Sequence, residues 1–140
     1  MNTQVIFSAV RKSSSGGNDV KPGKVVTYTE TVANIGGGMD MDTGAFLAPV
    51  SGLYSFSFSA RSAIDHNIVA IGVYKNDEVQ FWIGDENANG QKNYDNISYS
   101  WLMSLDQKDK IHLKMWEKSA RLYVDTGNFV WFNGQLLKSQ

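Results

Sequence analysis

The 140-residue sequence contains no cysteine, which excludes disulfides, thiolate metal sites and a cysteine nucleophile together. It has only two prolines. Its two histidines, His66 and His112, lie too far apart for the ligand spacing of a zinc site. Charge of one sign is scarce. Thirteen basic and 14 acidic residues leave a net charge of −1, no footprint for nucleic acid or an anionic membrane. No apolar run approaches the roughly 20 residues of a spanning helix. No ten-residue stretch carries a 3.6-residue apolar stripe, and there is no internal repeat, collagen-like run or heptad. The opening Met1–Gln4 is polar and carries no signal peptide, so a secreted chain would be one whose leader is already removed.

Aromatics and alternation are what the sequence does have. Seven Phe, six Tyr and four Trp within 42% hydrophobic content can fill the core of one domain, residues 1–140. From Gly52 to Ala60, Tyr54, Phe56 and Phe58 alternate with Ser55, Ser57 and Ser59. That period of two fits only a half-buried β-strand. The same alternation predicts strands over Val5–Val10, Lys24–Ala33, Gly44–Leu47, Asn67–Tyr74, Val79–Ile83, Tyr94–Leu105, Lys110–Trp116, Arg121–Val124 and Phe129–Leu137. Gly36–Gly38 mark a loop, and Lys75-Asn76-Asp77-Glu78 a hairpin turn. In the strand after that turn, Val79, Phe81 and Ile83 share one face, and Gln80 and Trp82 the other. The expected fold is all-β, a two-sheet jelly-roll sandwich of about ten strands.

Catalytic chemistry finds little support. Ser62, Asp65 and His66 are close in sequence, but proximity in sequence is not triad geometry. Asp40 and Asp42 read as a solvated loop, and Asn96-Ile97-Ser98 is a three-residue glycosylation pattern of the kind that arises by chance. The expected class is a binding protein, not an enzyme. Hard oxygen ligands crowd one segment, Asp85, Glu86, Asn87, Asn89 and Asp95, without EF-hand spacing. No cofactor is expected.

Tyr28, Asn34, Thr43-Gly44-Ala45-Phe46, Pro49 and Gly52-x-Tyr54-x-Phe56-x-Phe58 together resemble the defining motif of the globular C1q domain. Leu105–Ile111, with Lys108 where a glycine is usual, and Phe132–Leu137 resemble its C-terminal half. Met39 departs from the aromatic usual at its place. The resemblance implies a secreted, stalkless homotrimer related to the tumour necrosis factor fold. It also implies Asp85 and Asp95 as the residues nearest to a calcium site used by some members.

With C1q-like sheets, His112, Lys114, Trp116 and Trp131 are expected on an inner sheet toward neighbouring subunits. An outer sheet is expected to join Gly52–Arg61, Arg121–Val124, Val79–Ile83 and Tyr94–Leu105. Its wet face would show Trp82, Tyr94, Asn96, Tyr123, Arg61 and Arg121 among serines. Aromatic rings under sugar C–H faces, with amides and hydroxyls around them, suit a glycan, and an arginine suits a carboxylate such as that of a sialic acid. Loops at one end of the sandwich would add Asp65, His66, Asn67, Asn93 and Lys118. The resemblance thus implies an innate-immune, pattern-recognition lectin that binds glycans or glycoproteins multivalently, without nucleic acid or membrane insertion. The alternative is a cytokine-like or structural trimer that binds a protein.

Overall fold

The computed structural model describes residues 3–14, 17–62, 68–86 and 96–140. Ten strands follow one another: β1 (Ile6–Arg11), β2 (Glu30–Ile35), β3 (Met39–Asp40), β4 (Ala45–Leu47), β5 (Gly52–Arg61), β6 (Ile68–Lys75), β7 (Glu78–Glu86), β8 (Asn96–Leu105), β9 (Lys110–Met115) and β10 (Val130–Ser139). They form two antiparallel sheets, β2-β1-β10-β5-β8 and β3-β4-β9-β6-β7. No described residue is helical. The all-β, two-sheet architecture read from the alternation is the one observed.

β5 shows why. Its residues alternate without exception between buried Gly52, Tyr54, Phe56, Phe58 and Ala60 and part-exposed Leu53, Ser55, Ser57, Ser59 and Arg61. Phe56 contacts the rings of Phe7, Phe46, Tyr54, Trp101 and Phe132, so the aromatics of both sheets interlock into one core. Phe7 of the first sheet stacks on Phe46 of the second with centroids 4.8 Å apart. Tyr54 lies in the same core and donates its hydroxyl to the Val50 carbonyl at 2.7 Å, which meets the hydrogen-bonding need of a buried phenol. Gly134 faces inward because the Phe7 ring occupies the space a Cβ would take.

Several boundaries differ from the sequence reading. Lys24–Thr29 is not strand, although Val26 and Tyr28 are buried and Val25 bridges Lys114. Arg121–Val124 is not strand either; only Leu122 pairs, with Val20 and Ser62. The expected turn closes the β6–β7 hairpin with Asn76 and Asp77 both at positive φ, 51° and 69°. Asn and Asp tolerate that conformation best after glycine. Lys108 adopts φ 74°, the left-handed conformation for which glycine is usual.

Two expectations about facing are corrected. A bulge between Val73 and Tyr74 pairs Tyr74 with Val79, so Val79 is 42% exposed and faces outward beside Trp82, not inward with Phe81 and Ile83. The sheets also divide differently. β5 and β8 pair with β1 and β10, whereas β7 joins β6 and β9 in the opposite sheet. Alternation assigns a residue to a face of its own strand; it does not say which strands are neighbours.

Candidate functional site

The division of strands gives the molecule two unlike outward faces. On the β2-β1-β10-β5-β8 sheet, cross-strand register aligns Ser8, Asn133, Ser57 and Ser100 in one row. Asn133 links the row, accepting from the Ser8 hydroxyl through Oδ1 and donating to Ser57 Oγ at 3.3 Å through Nδ2. The next row holds Ile6, Gln135, Ser55 and Leu102. Apolar Val32, Ile35 and Leu102 stand exposed around these small polar residues. Ile6, Ser8, Ser55, Ser57, Asn133 and Gln135 line an open depression of about 320 Å³ there, in which Ser8, Asn133 and Ser57 are linked by hydrogen bonds.

On the other side of the Ser8 row, Trp131, Ser59 and Ser98 form a row, and Arg61 pairs with Asn96 beyond it. Arg61, Asn96, Asn128, Phe129 and Trp131 line a 330 Å³ cleft there. Arg61 Nη1 donates to Asn128 Oδ1 at 3.0 Å. Asn128 is in turn fixed by Asp125 Oδ1, which accepts from the Gly127 and Asn128 amides and from Asn128 Nδ2 at 2.8–2.9 Å. Those donors, the Gly127 amide first, hold the Asp125 carboxyl down at about 2. Tyr123 reaches this region twice: its backbone N–H donates to the Arg61 carbonyl at 2.7 Å, and its side chain hydrogen-bonds the Asp125 carboxylate.

Arg121 is engaged elsewhere. Its guanidinium pairs with Asp19 at 3.3 Å, and the other Asp19 oxygen accepts the Val124 amide at 2.8 Å. Arg11 ties the same segment down through Asn18, Asp19 and Thr27. Buried Ser119 accepts the Ala70 amide and holds the preceding turn on β6. Arg121 therefore supports the loop, while Arg61 and Asn96 reach a cleft.

The outward face of the β3-β4-β9-β6-β7 sheet is aromatic and basic. Trp82 on β7 is 49% exposed. Its register partner is Gly72, over which the Trp82 and Tyr74 rings lean; a Cβ on Gly72 would lie 3.1 Å from Trp82 Cζ3 and 2.7 Å from Tyr74 Cε1. Tyr74 stacks almost parallel on His112, centroids 5.0 Å apart at 6°. Lys114 Nζ sits 5.9 Å from the Tyr74 centroid. His112 is only 7% exposed, and that burial, with Lys110 and Lys114 close by, holds its imidazole below the usual value. His112 and Lys114 also line a cleft of about 470 Å³ with Val25, Asp40, Leu47, Asp77 and Lys110. At the open edge of the sandwich, Trp82, Gly84, Asn96, Ser98 and Tyr99 border a 270 Å³ cleft between β7 and β8.

Of the residues singled out from sequence, Trp82 and Asn96 meet at that edge, and Arg61 with Asn96 at the neighbouring cleft. Tyr94, Asp65, His66, Asn67, Asn93 and Asp95 lie outside the described residues, as does the side chain of Asp85. Among the described residues no group of three or more acidic or histidine side chains could hold a metal ion. His112 and Trp131 do not share a face: they belong to opposite sheets, and Trp116 follows β9, on the His112 side. The expected common assembly face of His112, Trp116 and Trp131 is thereby corrected. Tyr74, Lys114 and Tyr99 emerge as surface groups that sequence reasoning did not place in a binding site. Lys110-x-His112-x-Lys114, three basic side chains at a period of two, was the available signal.

The fold is a two-sheet antiparallel jelly roll with open clefts on its faces and edge. The chain belongs to the C1q domain family, whose model matches residues 6–137. It is 30% identical over 112 residues to complement C1q tumor necrosis factor-related protein 3 of Mus musculus, and equally to that of Homo sapiens. Each match covers 80% of this chain but only 44% of the relative, so the chain spans under half the length of these proteins. The globular domain of zebrafish complement 1qA superposes with a TM-score of 0.77 at 20% identity, covering 97% of this chain and 99% of that one. Eiger TNF from S. frugiperda gives 0.79 at 8% identity, over 99% and 96%. At those identities the two structures establish the fold.

Proposed function

We propose that this C1q domain is a secreted, non-enzymatic lectin that binds glycans multivalently as a homotrimer. The observation that carries the reading is Trp82, a half-exposed indole at an open cleft whose other borders include the Asn96 amide and the Ser98 hydroxyl. A sugar ring can set its C–H face on the indole while the amide and hydroxyl engage its hydroxyls. The site is shallow, so a single contact is weak, and three copies on one particle supply avidity through effective concentration. For assembly, the serine–asparagine face with its apolar rim of Val32, Ile35 and Leu102 is the surface favoured, with Trp131 beside it as an anchor.

The test is a glycan array read against light scattering. The assembled mass should be about three times the 15.5 kDa chain mass. Trp82→Ala should weaken glycan binding about tenfold per site, the scale of one aromatic contact, without changing that mass. Asn96→Ala should weaken it too. Unchanged binding in both variants would place the site elsewhere; binding to proteins but to no glycan would favour the cytokine-like alternative.

A further inference from the structure

We propose that Lys114, held on the Tyr74 ring beside His112, forms an anion subsite that makes this domain prefer glycans carrying a carboxylate or a sulfate ester. The proposal rests on the glycan reading above and adds the class of sugar. Register sets Trp82, Gly72 and Lys114 in one row across three adjacent strands. With strands about 4.8 Å apart, the two outer positions lie about 10 Å from each other, within the span of a short oligosaccharide. Gly72 puts no side chain between them, and the Trp82 and Tyr74 rings close over it into a continuous aromatic surface. A saccharide seated on the indole therefore leads to the ammonium.

The ammonium is ordered and available. Its place over the Tyr74 face is a cation–π contact, which restrains a long side chain without consuming its hydrogen-bond donors. Lys110, two residues away on the same strand face, is committed to Asp77 at 2.8 Å. No carboxylate of the described residues lies within ion-pair distance of Lys114. Asp40 and Asp77 also line the adjoining cleft. Asp77 is already paired with Lys110. His112 contributes the flat wall on which Tyr74 is stacked.

Calorimetry on the full chain with matched probes tests the assignment. One pair is a uronic-acid tetrasaccharide and its carboxyl-reduced form; the other is a sulfated lactosamine tetrasaccharide and its desulfated form. The charged member of at least one pair should bind about tenfold tighter, the scale of one charge-assisted hydrogen bond, and the pair that discriminates identifies the anion. Lys114→Gln should bring that ratio close to one, and Lys114→Arg should keep it. Trp82→Ala should weaken both members of the pair by a similar factor. Equal affinity within both pairs for the native chain, or a ratio that survives in Lys114→Gln, overturns the anion subsite while leaving the glycan reading intact. Unchanged affinities in Trp82→Ala would move the glycan site away from the indole and overturn the subsite built beside it, and no measurable binding of any probe would remove the glycan reading beneath both.

Discussion

The two outward faces of the sandwich solve opposite problems with the same strand geometry. On the β2-β1-β10-β5-β8 face the side chains are short, and Ser8, Asn133 and Ser57 hydrogen-bond to one another across three strands. On the β3-β4-β9-β6-β7 face, Trp82, Tyr74, His112 and Lys114 are bulky, His112 is buried under the Tyr74 ring, and Trp82 is half-exposed. Polar groups that already pair with one another cost less to desolvate against a second copy than unpaired ones do. A face of rings and a cation keeps its interactions for something else. The difference favours the proposal that assembly uses the serine rows, and recognition the opposite face and the β7–β8 edge where Asn96 and Ser98 border the Trp82 cleft.

The sharpest way to break this division is to spoil only the small-residue face. Ser57→Arg places a long cation at its centre, where Asn133 donates to Ser57. The expected result is loss of the trimer, read as a fall in scattering mass to that of one 15.5 kDa chain. Binding to a multivalent glycan surface should drop about a hundredfold through lost avidity, while the affinity of one site for a soluble oligosaccharide stays the same. A Ser57→Arg protein that remains a trimer would show that this face does not assemble it.

How far the sequence alone reached follows the same line. The core residues were legible because burial on one side imposes a period of two, and Tyr54, Phe56 and Phe58 obey it without a break. Trp82 was legible as outward for the same reason. Val79 was not, because the bulge at Val73/Tyr74 shifts the phase of β7 by one residue and leaves no mark in the apolar pattern. The sharing of strands between sheets was illegible too. Pairings such as β1 with β10 join opposite ends of the chain, and periodicity carries no information about them. The common face expected for Trp131 and His112 from C1q-like sheets fails on such a pairing, since β10 and β9 belong to opposite sheets. The Arg121–Asp19 ion pair was illegible for another reason: the two residues lie far apart in sequence, so nothing local announces the pairing.

The aromatic face can be broken in its turn. Gly72→Ala inserts a methyl group at 2.7 Å from Tyr74 Cε1 and 3.1 Å from Trp82 Cζ3, the ends of two movable rings. Displacing them should cost about 1–3 kcal/mol of stability and change the Trp82 environment, with the trimer unaffected. Urea melts and tryptophan emission would show it; an unchanged spectrum would mean that the rings do not close over the glycine. Acid reaches the same face through His112. Its imidazole is held below the usual value, so the folded state prefers it neutral. That contribution to stability is complete above the ordinary imidazole value of about 6.5 and is lost as pH falls through the lower folded value. His112→Gln should flatten the stability profile over that window, and a profile of unaltered shape would remove His112 as its cause.

The smallest effect is expected where the two faces share an end. Asp125 carries a carboxyl held at about 2, chiefly by the Gly127 amide and then by Asn128. Here the folded value lies below the ordinary carboxylate value of about 3.9, so the sign is that of a group that stabilises when ionised. Its contribution is full above the ordinary value and disappears as pH falls toward 2. Asp125→Ala removes the acceptor for both turn amides and frees the Asn128 side chain that orients Arg61. Scattering mass and the Trp82 environment should stay as they are, because the turn borders only the end of the serine face at Ser59, Ser98 and Trp131, away from the Ser8–Asn133–Ser57 row and the aromatic row. Amide exchange at Gly127 and Asn128 should quicken, and the acid limb below the ordinary carboxylate value should lose its slope. If exchange at those amides stays slow in Asp125→Ala, the turn is held by its backbone alone, and Arg61 owes its position to other contacts.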